Sequence, residues 1–320
     1  MKKVFIIIIF TIIATNLFAQ YEEEADHIVK DPSNSVSTNA VFSQEINDFY
    51  LSENNMSIGS EMMITHNLNS FNIPFYYKTA KLENWSFNAF LPIIVKKEAS
   101  YQNEKARGIG DLTIGGTYSK IDFIKAGFIA HGSLELTLPT GNDEKEVNNI
   151  PIPLGNGTFG FTANFSVIGK INKGTLYTSM NYRLNTNKTT TTKNSYAETT
   201  YKRRSPSIFS LNGSYDYPIL EELRFTGAIL INYFGKGRSE TEIVYSDNTP
   251  TYFIESDIFQ EKVILGDIST KLEYKFGVNG LEAVSNFLHS AYLKVKIPVL
   301  KTEAVGNRYG TVAFGVRKNF

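Results

Sequence analysis

FGFTANFSV, residues 159–167, alternates without a break. Side chains of a strand point to opposite faces in turn, so Phe159, Phe161, Ala163, Phe165 and Val167 share one face. Gly160, Thr162, Asn164 and Ser166 share the other. One face is greasy and the other carries hydroxyls and an amide. Such a strand separates two unlike surroundings.

The same period recurs on both sides of this stretch. LYTSMNYRL (176–184) sets Leu176, Met180, Tyr182 and Leu184 against Ser179, Asn181 and Arg183. FSLNGSYDY (209–217), DISTKLEYKF (267–276) and AYLKVKI (291–297) repeat the pattern, and no sustained helical periodicity occurs in the region. About twelve strands of roughly ten residues, the length that a tilted membrane strand needs, cover residues 56–320. Their spans are 56–66, 70–79, 84–95, 108–120, 124–138, 156–169, 174–186, 206–217, 222–235, 263–277, 286–298 and 309–320; ten or fourteen strands are the alternatives.

Connection lengths choose between architectures. Links 80–83, 121–123, 170–173, 218–221 and 278–285 are short, whereas 96–107, 139–155, 187–205, 236–262 and 299–308 are long and polar. Short and long links alternate after the first hairpin. That is the signature of an antiparallel up-and-down barrel crossing a bacterial outer membrane, with tight turns in the periplasm and longer loops outside. A soluble sandwich has no reason to alternate this way. The expected fold is therefore an all-β transmembrane barrel: apolar faces to lipid, polar faces to the lumen, and no open sheet edge. Tyr118, Tyr182, Tyr217, Tyr233 and Trp85 are expected in the interfacial girdles.

The flanks fit this reading. MKK followed by VFIIIIFTIIA is a basic start and an apolar run too short to span comfortably, so residues 1–20 read as a secretory signal peptide. Residues 21–55 read as a flexible periplasmic arm or partial plug, acidic at first and then rich in Ser and Asn. The chain has no cysteine, so no disulfide supports it. Without Lys2 and Lys3 the charge is slightly acidic, which argues against a nucleic-acid partner. The last segment, GTVAFGVRKNF, alternates up to Phe320. It reads as the closing strand, with Phe320 as the signal that barrel-assembly machinery recognises and Lys318 snorkelling from the lipid face.

Four stretches carry a family resemblance: SFNIPFYYKTAKLENWSFNAFLPIIV (70–95), GIGDLTIGGTY (108–118), LELTLPTGN (134–142) and LGNGTFGFTANFSV (154–167). In order and spacing the chain resembles the outer-membrane family named for the meta-pathway of phenol degradation, from about Phe71 onward. The resemblance implies an outer-membrane transporter, related in character to channels for hydrophobic compounds such as the long-chain fatty acid transporter. It implies no catalytic residues. The plug motif of the fatty acid transporters is absent from 21–55. Gly108, Gly110, Asp111 and Leu138, Pro139, Thr140, Gly141 also have a plain structural reading: bends that begin and end strands.

The lumen face collects Glu61, Asp111, His131, Glu135, Arg183, Asp216, Arg224, Lys271, Glu273, Lys275, Lys294, Lys296 and Arg317. Lys271, Lys275, Lys294 and Lys296, on adjacent strands, form a basic stripe facing Asp111 and Glu135. The stripe either focuses anionic solutes or belongs to a network of ion pairs that fills the barrel. The second is the expectation. His131, Ser133 and Glu135 share one strand face, and the His-x-Ser pair resembles the outer-membrane lipid A deacylases, in which imidazole activates serine for ester hydrolysis. Here the trio points into the lumen, away from a lipid substrate. His27, His66 and His289 fall in an arm, a turn and a strand. No metal-ligand spacing appears, and no cofactor is expected. The reading is a passive channel for small solutes of hydrophobic or aromatic character, with a hydrolase or a closed structural barrel as alternatives.

Overall fold

The computed structural model describes residues 56–319 apart from 65–67, 79–83, 100–101, 125–127, 143–145, 148–149, 152–153, 156, 194–196, 205, 236, 246–251, 258–262, 277–288 and 302–309. The expected signal segment 1–20, the arm 21–55, His27, His66 and Phe320 lie outside the described residues.

In chain order the strands are β1 (Met56–Ile64), β2 (Leu68–Lys78), β3 (Trp85–Ala99), β4 (Gln102–Ile109), β5 (Leu112–Ile124), β6 (Phe128–Leu138), β7 (Glu146–Val147), β8 (Ile150–Pro151), β9 (Gly160–Ile171), β10 (Gly174–Asn185), β11 (Asn187–Lys193), β12 (Ala197–Arg204), β13 (Ile208–Pro218), β14 (Leu223–Phe234), β15 (Arg238–Tyr245), β16 (Tyr252–Asp257), β17 (Val263–Lys275), β18 (Ser290–Lys301) and β19 (Thr311–Asn319). Twelve of them close into an antiparallel barrel in the order β1, β2, β3, β5, β6, β9, β10, β13, β14, β17, β18, β19. The seam joins the first and last barrel strands: Ser57 pairs with Asn319 and Ile64 with Val312. Closure leaves no barrel strand with an unpaired edge, which is the condition for a sheet to survive in lipid.

The expected faces are the observed ones. In β9, Gly160, Thr162 and Ser166 are buried while Phe161 is 53 % exposed. Leu134 is 72 % exposed and Ile229 55 %. These apolar side chains stand on the outside of a closed cylinder. Large apolar side chains this exposed on strand after strand are what lipid-facing walls present, so a bilayer is the solvent this face requires. Trp85 and Tyr118, cross-strand partners at the short-turn rim, place their rings 5.4 Å apart on that outer face. At the same rim the β9–β10 hairpin turns through Asn172, whose φ of 54° is the left-handed region that Asn tolerates.

Several boundaries differ from expectation. The strand expected at 108–120 is broken at Gly110–Asp111: β4 folds back on β3, and β5 starts afresh at Leu112 and runs on to Ile124, through the expected 121–123 turn. The strands expected at 124–138, 156–169 and 286–298 begin at Phe128, Gly160 and Ser290, and His289 accordingly precedes β18. The expected loops 187–205 and 236–262 carry a four-stranded sheet in the order β11-β12-β15-β16. Polarity made them look like loops. Their threonines, opposed across β11 and β12 as in Thr191↔Thr200, are β-branched, and the barrel strands hold the ends of each pair in register.

Two apolar clusters lie at the long-loop end. Ile208, Phe234, Val263 and Leu265 form one, and Met63, Ile94, Ala106, Leu154 and Ala313 the other.

Candidate functional site

The lumen has two unlike walls. On β1, β17, β18 and β19 several polar side chains bind one another, although Ser57 Oγ on β1 has no protein partner. Glu61, Gly315, Tyr292 and Glu273 are successive partners across β1, β19, β18 and β17. Gly315 has no side chain, and the Tyr292 ring lies in the space that a Cβ would occupy there. Its hydroxyl thereby crosses β19 and donates to Glu61 Oε2 at 2.9 Å. Asn72 Nδ2 reaches Glu61 Oε1 at 3.4 Å. Glu273 accepts from Ser290 Oγ at 2.6 Å and from Lys271 Nζ at 3.2 Å. Lys271 also lies 5.7 Å from the centre of the Tyr292 ring, at cation–π range. Arg317 adds its charge to Glu273.

The basic stripe is thus embedded in carboxylates. Lys271 faces Lys294 across the ladder, Lys271 pairs with Glu273, and Lys296 Nζ stands 3.8 Å from Asp267. Lys275 is partnered across the ladder by Ser290. One wall further, Asp216 forms an ion pair with Arg224 and accepts from Thr226 Oγ1 at 3.0 Å.

Asp111, Glu135 and Arg183 meet on the nearly opposite wall, towards the long-loop end. Arg183 interacts electrostatically with both carboxylates. Its guanidinium lies over Gly160, and its Nε donates to Asn185 Oδ1 at 3.0 Å. Asp111 also ties the loops: its Oδ1 accepts from Gly141 N at 3.1 Å. Thr140 Oγ1 donates to Gly110 O at 2.8 Å and accepts from Leu112 N at 2.9 Å. A Cβ on Gly155 would collide with Gly141 Cα, 2.9 Å away. The GIGD, LPTG and LGNG stretches therefore form one clasp at the break between β4 and β5.

His131, Ser133 and Glu135 share a strand face, but no hydrogen bond links the histidine to the serine. His131 Nδ1 is 3.0 Å from Ser119 Oγ on β5, and Ser133 Oγ has no protein partner. The nucleophile–base contact that acyl transfer requires is not made. Among the described residues no group of three His, Asp or Glu side chains could hold a metal ion.

From β3 to β14 one row of the lumen wall is neutral, with Glu135 and Arg183 in the row beside it. Ser86, Thr117, Ser133, Asn164, Asn181, Ser210 and Asn232 are successive cross-strand partners over seven strands. Ser210 donates to Asn232 Oδ1 at 2.7 Å. Thr117 Oγ1, Ser133 Oγ and Asn164 Oδ1 are buried without a protein partner. The alternation alone placed these residues in the lumen; the register that aligns them, and Gly315's part in the other wall, required the paired strands.

The family model described as "Putative MetA-pathway of phenol degradation" matches residues 28–228. The chain belongs to this family. The match begins earlier than the resemblance in the sequence and stops within β14, and it contains all three stretches of the clasp. The fold is also that of the COG4313 outer membrane channel from Pseudomonas putida F1: TM-score 0.61 at 10 % identity, over 84 % of this chain and 97 % of that one. Two toluene transporters align more loosely. TbuX of Ralstonia pickettii gives a TM-score of 0.46 at 7 % identity over 85 % and 90 % of the two chains, and TodX of Pseudomonas putida 0.45 at 7 % over 91 % and 93 %. No curated protein matches the chain. Family and fold agree on an outer-membrane barrel embedded in the bilayer.

Proposed function

We propose that the barrel is a channel for the passive passage of small solutes across the outer membrane. The observation that supports it is the fold: a closed twelve-strand barrel shared with an outer membrane channel over 97 % of that channel's length. Solutes of hydrophobic or aromatic character belong to this proposal through the family's description. Asp111, His131, Glu135, Arg183, Asp216, Arg224, Lys271, Glu273, Lys275, Lys294, Lys296 and Arg317 line the path.

The closed structural barrel is the second reading, and the internally bonded wall around Glu61, Tyr292 and Glu273 favours it. Single-channel recording in planar bilayers separates the two. The channel gives discrete currents and solute uptake in liposomes; silence in both assays leaves the closed barrel. The hydrolase alternative would place Ser133 as nucleophile with His131 and Glu135. Ser133→Ala leaves ester and lipid hydrolysis at background if the protein is no enzyme.

Export by the signal segment 1–20 and recognition of Phe320 by the barrel-assembly machinery complete the proposal. Deleting Phe320 lowers the amount of barrel recovered in the outer-membrane fraction; unchanged recovery argues against that role.

A further inference from the structure

The connection from β6 to β9 is tied at its base to the break between β4 and β5. Thr140 and Gly141 bond to Gly110 and Asp111, and Gly155 packs against Gly141. Leu154 N donates to Asn142 O at 2.7 Å and closes the connection on itself. The Leu154 side chain then turns to the barrel wall. A Cβ on Gly108 would lie 2.6 Å from Leu154 Cδ1, so the first glycine of GIGD leaves the gap into which this leucine fits.

The seat around Leu154 is apolar. Met63, Ile94, Ala106 and Ala313 join it in one buried cluster, and Val147, in the hairpin β7–β8 at the tip of the connection, packs against that cluster. Met63 shares its strand face with Glu61, Ile94 with Asn88, and Ala313 with Arg317, all of them buried. Those are lumen faces, so the connection is folded over the inside of the mouth. Ala313, Met63, Ser70, Ile94 and Gly108 are successive partners from β19 to β4, and the seat therefore follows the wall across five adjacent strands. The charged groups nearby are engaged elsewhere: Asp111 accepts from Gly141 N, and Arg183 faces Asp111 and Glu135.

We infer that this connection is a gate at the outer mouth, latched by Leu154 and Val147 in the apolar seat, and that an apolar or aromatic solute opens it by taking their place. The inference rests on the channel reading and adds how the solute enters. The side chains of the seat offer no donor or acceptor, so ions and sugars do not compete for it, whereas an apolar ring gains the same burial that the leucine does. The seat is covered while the latch is closed. A solute that binds only the uncovered seat shifts the equilibrium towards the open mouth.

The test uses the full chain in planar bilayers, with potassium chloride current as the readout and benzene as the probe. The wild type carries small currents that benzene raises several-fold. V147A/L154A carries about five-fold more current than the wild type without benzene, and benzene adds little. V147I/L154M refills the seat and restores the wild-type pattern. Migration on unheated gels checks that each variant is a folded barrel; Ile94→Ala empties the same seat from the wall and gives the same rise should the double variant fail to insert. A folded V147A/L154A with wild-type current overturns the latch and leaves the channel standing. A wild type indifferent to benzene overturns it too, because the seat then takes no solute. An equal response to benzene in the wild type and V147A/L154A is an effect on the bilayer and also overturns it. If neither protein conducts with or without benzene, the channel reading itself falls.

Discussion

Two walls of one lumen use the same backbone and differ in what their polar groups do. Around Glu61, Tyr292, Lys271 and Glu273 the groups bond to each other across four strands. Around Thr117, Ser133 and Asn164, Thr117 and Ser133 are equally buried, and Thr117 Oγ1, Ser133 Oγ and Asn164 Oδ1 have no protein partner. The first arrangement ties the strands beside the seam where β1 meets β19. The second adds nothing to stability and costs something to maintain. Polar residues that hold a barrel together can be told from those that do not by asking where their hydrogen bonds go.

The sharpest way to break this contrast is Glu273→Ala. It leaves the Lys271 and Arg317 charges in a buried site without their carboxylate, and about 3 kcal/mol of stability should go, measured by urea unfolding in detergent or lipid. A loss near zero would mean that the network is ornamental. Gly315→Val puts a branched side chain where the Tyr292 ring lies. Overpacking beside the seam should cost about 2 kcal/mol and lower the fraction that migrates as folded barrel in unheated gels. Tyr292→Phe keeps the ring over Lys271 and removes only the bond to Glu61, so about 1 kcal/mol is expected. Thr117→Val, the mirror experiment on the other wall, should shift unfolding by less than about 0.5 kcal/mol or stabilise slightly, because no protein hydrogen bond is lost. If Thr117→Val cost as much as Tyr292→Phe, the two walls would not differ in the way described.

The barrel was legible because period-two alternation survives in nearly every strand. FGFTANFSV needed no partner to reveal its two faces, and the alternation of link lengths supplied the topology. The sheet β11-β12-β15-β16 was not legible: NKTTTTK reads as loop by polarity, and strand pairing came from ends held by β10 and β13. The break between β4 and β5 was hidden for a related reason. GIGDLTIGGTY alternates on both sides of Gly110, and only the clasp from Thr140 and Gly141 shows that it is two strands. In the lumen, alternation placed Lys271, Glu273, Lys294 and Lys296 on the inner face, but it could not pair them.

By itself the sequence determined which side of each strand meets lipid and where the chain turns back, because both follow from local periodicity and link length. The tertiary structure decided who faces whom. Tyr292 reaches Glu61 because strands far apart in sequence meet at the seam and a glycine sits between them, while Thr117, Ser133 and Asn164 line up because three strands share one register. Contacts of that kind depend on ladder alignment around a closed cylinder, and no local stretch of chain encodes it.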